Sequence, residues 1–191
     1  MIHLRDMGIS AELLMVGETL DQKYHDQLRG LVQRHNLVDR VTFHGHSDAP
    51  IALMNSADVV LMCSRREAFG RVTVEGMKLG KPVIGTKSGG TTEIIEDGRT
   101  GLLYEPGQAE ELAKRISFLH RYPSERDSLG LAARASADER FSRQEYGKNI
   151  ANVIRATVDR ERIFGPSEGQ SQESHARDVT NAEPRESRSA A

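Results

Sequence analysis

The residues best suited to chemistry lie in one short segment, residues 64–75, which leaves an apolar run at Ser64 and enters a helical pattern. Glu67 and Glu75 bring two carboxylates, and Gly70 allows a ligand to approach the backbone closely just before the helix begins. The first N–H groups of a helix have no partner within it, so they can bind an anion such as a diphosphate. The segment therefore predicts a site that binds phosphate through amides and hydroxyls through carboxylates.

The spacing assigns the two carboxylates to different parts of such a ligand. Glu75 follows Arg71 by four residues and therefore shares a helical face with the predicted phosphate position. Its two oxygens can accept both protons of a vicinal diol, such as the 2′ and 3′ hydroxyls of ribose. Glu67, in the loop before the helix, is placed for a sugar. Exposed helices often carry glutamates without a role, so the prediction rests on the order of strand, loop, glycine and helix.

The elements that must position this segment alternate as in a doubly wound parallel sheet of an α/β, Rossmann-like fold. Ligands of such sheets bind beyond the carboxyl ends of the strands, which is where the segment begins. Apolar runs predict strands at residues 12–16, 41–45, 58–63, 82–85 and 101–104, and the patterns between them predict helices at 20–35, 50–56, 71–79 and 92–96.

The chain becomes helical after residue 104. Three apolar side chains at three- and four-residue spacing predict a helix that covers the sheet: Leu112, Ile116 and Leu119. Two more helices follow, and the last, at about residues 142–160, has an apolar face that we expect to be buried. From residue 165 onward Val179 is the only large aliphatic residue, too little to offset the entropy of ordering. We therefore predict a domain at 1–163 and a disordered tail at 164–191.

Composition excludes several classes of function. The formal net charge of -2 gives no general electrostatic footprint for nucleic acid or an acidic membrane. Charged residues interrupt the first apolar stretch, so neither a signal peptide nor a spanning segment is indicated. Cys63 is the only cysteine, which excludes an intramolecular disulfide and favours a reducing, cytoplasmic setting. Its apolar neighbours predict a small buried side chain.

A metal site is the alternative that the histidines raise. His44, His46 and Asp48 have the alternate spacing of some metal ligands, but Ala49 stands where a further histidine is expected and no acidic cluster follows. No Asp-x-Asp triplet is present to hold a metal on a diphosphate. We therefore predict no metal and no cofactor.

Cationic residues near the segment are candidates to neutralise a diphosphate. We favour Arg71, while solvated surface charge explains the others equally well: Arg65, Arg66, Lys78 and Lys87. The run Ser88, Gly89, Gly90 reads either as a ligand-facing loop or as a plain turn, and both interpretations stay open.

From about residue 12 to residue 121 the chain resembles the retaining GT-B glycosyltransferases of the family 4 type. The motifs that carry the resemblance are LLMVGE, VTFHGH, SADVVLMCS, EAFGRVTVEGM, GKPVIGT and GGTTEIIEDGRTGLLYEP. The resemblance implies transfer of a hexosyl group, with retention, from a nucleotide-diphosphate sugar. It implies that Glu75 binds ribose and that Glu67 approaches the sugar hydroxyls. It further implies a nucleobase near Gly45, and phosphate or sugar at the amides of Phe69, Gly70, Arg71 and Val72.

Two parts of that family's pattern have no counterpart here. The resemblance implies an acceptor-binding domain before the donor domain, and a first donor-domain strand followed by Arg and Lys. In the strand order 3-2-1-4-5-6 strand 1 is central, so we expect unpaired edges on the strands at 12–16 and 58–63 that invite association. Either another polypeptide supplies the acceptor side, or the chain is a donor-like fragment that acts only by association or is inactive alone.

Overall fold

Short parallel strands alternate with helices along the chain in the computed structural model, which describes residues 1–65 and 67–164. The elements are α1 (Ile2–Asp6), β1 (Leu13–Val16), α2 (Gln22–Arg34), a 3-10 turn (Val38–Arg40), β2 (Val41–Gly45), α3 (Pro50–Ser56), β3 (Val60–Met62), α4 (Arg71–Lys78), β4 (Val83–Thr86), α5 (Gly90–Ile94), β5 (Leu102–Tyr104), α6 (Ala109–Arg121), α7 (Pro123–Arg140) and α8 (Arg143–Phe164). All the predicted strands form, each within two residues of its expected bounds. The α1 helix was not predicted, because five residues are too few for a helical period to show.

The strands form two parallel sheets rather than one. β1 pairs with β2, and β4 lies between β3 and β5. This pairing equals the order 3-2-1-4-5-6 with a break at strand 1, so the predicted doubly wound fold is confirmed. Among residues 1–65 and 67–164 no strand pairs with the second edge of β1 or of β3. Leu14 and Val16, on one face of β1, are 42% and 41% exposed.

The hydrophobic core lies on both faces of the three-stranded sheet. One face is covered by α4 and α7. Val74 and Met77 of α4 and Ala133 and Ala137 of α7 pack there with Val60 of β3 and Val83 of β4. The other face packs on α6 through Leu119, which is fully buried beside Ile84. α4 lies so close to the sheet that a Cβ on Gly76 would come within 3.1 Å of Val83 and 3.3 Å of Val60. The helix that carries the candidate site therefore packs closely against the sheet.

The two-stranded sheet is covered far less. Neither α2 nor α3, both described along their whole length, contains a buried residue. Leu31 on α2 and Ile51 on α3 are more than two-fifths exposed. A two-stranded sheet with one weakly packed layer has little stability of its own.

The chain divides into a unit at Met1–Ser142 and a second that begins at Arg143. In α8 the side chains of Ile150, Val153 and Ile154 are exposed, so the expectation that this face is buried was wrong. An amphipathic pattern identifies an apolar face without identifying anything that covers it. The predicted tail lies outside the described residues from 165 onward. In the described part of the chain no helix is long and apolar enough to span a bilayer.

Candidate active site

The N-terminus of α4 is the centre of the candidate site. Gly70 precedes the helix with φ 86° and ψ 45°, a left-handed conformation that side chains disfavour. The next three amides, of Arg71, Val72 and Thr73, have no acceptor within the helix. Because the helix dipole adds partial positive charge there, this end of α4 suits an anion.

Glu67 already occupies part of this helix end. Its carboxylate Oε1 accepts a hydrogen bond from the Gly70 amide at 2.9 Å. A Cβ on Gly70 would lie 3.0 Å from the Ile94 Cδ1 atom, and the Glu67 Cγ atom would lie at an ordinary contact distance of 3.6 Å. The predicted Gly70 donor thus binds Glu67, and the amides after it remain for a ligand.

Glu75 lies on the second turn of the same helix. Its Oε1 is 3.5 Å from an Arg71 guanidinium nitrogen, and the two side chains are 34% and 83% exposed. From Gly70 to Glu75 the helix rises about 7.5 Å, a length suited to the step from a diphosphate to a ribose. The structure therefore brings Arg71 and Glu75 together and binds Glu67 to the Gly70 amide at the start of the helix.

Phe69 and Val72 border the helix end from outside. Phe69 is 56% exposed and Val72 39% exposed. The Phe69 ring makes an edge-on contact with Phe141, with centroids 6.4 Å apart. Phe141 follows the end of α7, and no local pattern in the sequence indicated this contact.

The segment after β4 packs on the loop that carries Glu67. Ser88 donates a hydrogen bond to the Arg65 carbonyl at 2.7 Å, and the Gly90 amide donates one to the Glu67 carbonyl at 3.0 Å. Ser64 is held in the same way, since the Thr86 hydroxyl donates to its carbonyl at 2.6 Å. Residues 88–90 therefore pack on the loop that carries Glu67, and both interpretations of this segment stay predictions.

Gly45 belongs to the two-stranded sheet. It ends β2 with φ 75°, lies opposite Val16 in the register, and accepts a hydrogen bond from the Gly17 amide at 2.8 Å. No neighbouring atom lies within 4 Å of the position of a Cβ at Gly45, so open space surrounds it. The break between the sheets thus separates Gly45 from the other site residues in the hydrogen-bonded network.

Of the candidate metal ligands, His46 lies close to two carboxylates. His46 lies 3.7 Å from a Glu18 carboxylate oxygen and 3.4 Å from one of Asp48. Within the described residues no group of three or more His, Cys, Asp and Glu side chains could hold a metal ion.

Two of the other candidate cations have partners elsewhere. Lys78 donates to the Phe141 carbonyl at 2.9 Å from the far end of α4, and Lys87 pairs with Glu105 at 3.3 Å. Arg66 lies outside the described residues. Arg71 is therefore the cation that the fold places beside Glu75.

Cys63 is exposed, so the expectation of a buried thiol was wrong. β3 ends at Met62, and Cys63 already belongs to the loop that leaves the sheet. Burial, together with a hydrogen bond to the Cys63 thiol, raises the pKa of Tyr104.

Comparison with known proteins gives one consistent family. Residues 2–136 match the family described as Glycosyl transferases group 1. N-acetyl-alpha-D-glucosaminyl L-malate synthase of Bacillus anthracis is 35% identical over 70% of the chain and 34% of its own length. D-inositol 3-phosphate glycosyltransferase of Arthrobacter sp. (strain FB24) is 34% identical over 83% of the chain and 38% of its own length. The chain thus spans little more than a third of these curated relatives.

A solved structure shows the same fold with a ligand. Anabaena HepE in complex with UDP-glucose is similar with a TM-score of 0.72 and 33% identity. The similarity covers 76% of this chain and 41% of that one.

Proposed function

The chain belongs to the glycosyl transferases group 1 family, and from this membership we propose that it binds the nucleotide-diphosphate sugar from which a hexosyl group is transferred with retention. This chain supplies the donor-binding half of the reaction. The observation that carries the proposal is the pair of carboxylates, Glu67 and Glu75, on either side of the glycine-started end of α4. The first-turn amides and Arg71 suit the diphosphate of such a nucleotide sugar, Glu67 suits its sugar and Glu75 suits its ribose.

Each site residue has a role in this proposal. The first-turn amides and Arg71 bind the diphosphate, while Glu75 accepts the ribose hydroxyls. Glu67 exchanges its bond to the Gly70 amide for sugar hydroxyls and is the catalytic residue, since it positions the sugar at the reacting centre. Positive charge at the helix end stabilises the leaving diphosphate as its bond to the sugar breaks.

The remaining parts of the proposal concern the ligand and the setting. The HepE complex with UDP-glucose supports a nucleotide-diphosphate sugar as the ligand. That the base lies near Gly45 stays a prediction. No cofactor is required, because the donor itself is the activated substrate. A cytoplasmic setting stays a prediction from the single cysteine.

Calorimetric titration of the full chain with UDP and with UDP-glucose tests the proposal. We expect both to bind, and we expect Glu67→Gln to weaken UDP-glucose binding by about 1–2 kcal/mol, because a charged acceptor of hydroxyl protons becomes a neutral one. UDP should bind the variant within about twofold of the wild type, since UDP has no sugar at that end.

The matched control is Glu96→Gln, which alters an exposed carboxylate after α5 that pairs with Arg99. It should leave both affinities unchanged. If neither ligand binds the wild-type chain, the donor-site proposal fails. If Glu67→Gln weakens UDP and UDP-glucose equally, the sugar assignment fails while the donor site stands.

A second candidate function is that of a binding module without transfer activity of its own. The observation that favours it is the unpaired second edge of β1 and of β3 within the described residues, beside the exposed side chains of Leu14 and Val16. Transfer and donor hydrolysis measured with the chain alone, then with an added acceptor-binding polypeptide, separate the two. Turnover by the chain alone contradicts the second candidate.

A further inference from the structure

We propose that the segment after β4 is a clamp that fixes the loop carrying Glu67, so that Ser88 and Gly90 are positioning residues for the sugar end of the donor. The clamp comprises Thr86, the last residue of β4, and residues 87–90, which follow it. The Glu67 loop comprises residues 64, 65 and 67–69. The proposal rests on the proposed function, because it assumes that Glu67 contacts the sugar.

Hydrogen bonds from the clamp reach three backbone carbonyls of the Glu67 loop. Thr86 and Ser88 donate from their hydroxyls to the carbonyls of Ser64 and Arg65, at 2.6 and 2.7 Å. The Gly90 amide donates to the carbonyl of Glu67 at 3.0 Å. Three carbonyl oxygens of the loop are thus bound by one segment, which sets the backbone position of Glu67 itself.

The two glycines of the clamp leave no space for a side chain against the loop. A Cβ on Gly89 would lie 2.2 Å from the Glu67 carbonyl oxygen. A Cβ on Gly90 would lie 2.7 Å from the Ala68 carbonyl oxygen and 2.8 Å from that of Phe69. Real side chains do not approach backbone atoms so closely, so any substitution must displace the clamp or the loop.

The clamp is the more firmly held of the two. Thr86 is 1% exposed at the end of the central strand β4, and Thr91 and Ile94 on α5 are buried. The Lys87 amide also donates to the Tyr104 carbonyl on β5 at 2.8 Å. Ala68 and Phe69, by contrast, are exposed. A new side chain on the clamp therefore moves the loop.

A moved loop displaces the Glu67 carboxylate. Its present bond to the Gly70 amide, at 2.9 Å, depends on the separation between the loop and the start of α4. Glu75 and Arg71 lie within α4, whose Val74 and Met77 side chains are buried in the core cluster on the sheet. Disturbing the clamp should therefore affect the sugar and spare the nucleotide.

Gly90→Ala is the sharpest test, because the backbone of Gly90 is not left-handed and the new methyl meets only the loop backbone. We expect UDP-glucose to bind this variant roughly tenfold more weakly, since small misplacements of a positioning group are costly. UDP should bind within about twofold of the wild type. Gly147→Ala, in helix α8 with no atom within 4 Å, is the control and should change neither affinity.

Ser88 gives an independent test without added bulk. Ser88→Ala removes the bond to the Arg65 carbonyl and should lower the affinity for UDP-glucose several-fold, with UDP unchanged. Ser88→Thr keeps the hydroxyl and should restore UDP-glucose binding. A role in stability alone would lower both affinities together and would not separate sugar from nucleotide.

Amide hydrogen exchange of the chain without ligand separates the clamp from the proposed function. In Gly90→Ala and Ser88→Ala the amides of residues 67–70 should exchange about tenfold faster than in the wild type, with those of α7 unchanged. Unchanged exchange, or variants that keep the wild-type preference for UDP-glucose, overturns the clamp. A wild-type chain that binds neither ligand overturns the proposed function and the sugar role, whereas the exchange rates still decide whether the clamp holds the loop.

Discussion

Replacement of Glu75 by alanine should weaken UDP binding by about 1–3 kcal/mol, roughly 5- to 150-fold, because the ribose hydroxyls lose a charged acceptor. Glu75 lies on the second turn of α4, 34% exposed and paired only loosely with Arg71 at 3.5 Å. It is therefore available to a ligand and is not a structural ion pair of large value. Calorimetric titration with UDP measures the loss directly.

The matched control is Glu110→Ala, which removes a glutamate from a comparable pair one helical turn apart. Glu110 lies 2.7 Å from Lys114 on α6. The control variant should bind UDP like the wild type. Wild-type affinity in Glu75→Ala would rule out the ribose assignment, and equal losses in both variants would indicate a general effect of helix charge.

Replacement of Met77 by alanine should lower the free energy of unfolding by about 2–5 kcal/mol, the usual cost of a cavity at a large buried side chain. Met77 is fully buried and belongs to the core cluster that joins α4 to β3, β4 and α7. Because a domain is stable by only about 5–15 kcal/mol, the variant should unfold at a much lower urea concentration than the wild type. Urea unfolding followed by far-UV circular dichroism measures this.

Met7→Ala is the control, because the Met7 side chain is 41% exposed and its loss leaves no enclosed cavity. It should change the unfolding free energy by less than about 0.5 kcal/mol. Met77→Leu keeps most of the volume and should cost less than about 1.5 kcal/mol. Similar losses in Met7→Ala and Met77→Ala would contradict the placement of α4 as the buried base of the site.

The fold was predictable because its strands are buried on both faces. Val83 and Ile84 on β4 are fully buried, and a short apolar run is the expected sequence of such a strand. The position of Gly70 before α4 was predictable for a local reason, since glycine accepts the left-handed start of the helix. The extent of β3 was not, because residues 58 and 59 form a bend and pairing with β4 begins only at Val60.

The contacts that position the site were less accessible to sequence. Two contacts hold Phe141, at the end of α7, against the region of α4. The Phe69 ring, just before α4, meets the Phe141 ring edge-on, and Lys78 at the end of α4 donates a hydrogen bond to the Phe141 carbonyl. The hydroxyl bonds of Thr86 and Ser88 join two loops that are far apart in the chain. Serine and threonine are common after strands, and only the packing of β3 beside β4 brings these hydroxyls to the Glu67 loop.

The different contacts that Glu67 and Glu75 make within residues 64–75 also became visible only in the structure. Sequence spacing placed Glu67 before the helix and Glu75 on it, but gave no indication that the Glu67 carboxylate binds the Gly70 amide. A side chain that folds back on its own helix end leaves no periodic signal, because the contact depends on the left-handed turn at Gly70.

The central claim is that the end of α4 binds a nucleotide-sugar donor, and an NMR titration of the chain with UDP-glucose tests it most directly. We expect the changes in amide chemical shift to cluster at Gly45 and at residues 67–75, and to saturate together as UDP-glucose is added. Changes confined to the groove of about 390 Å³ lined by Met7, Phe118 and Tyr122, or no saturable change at all, would contradict it.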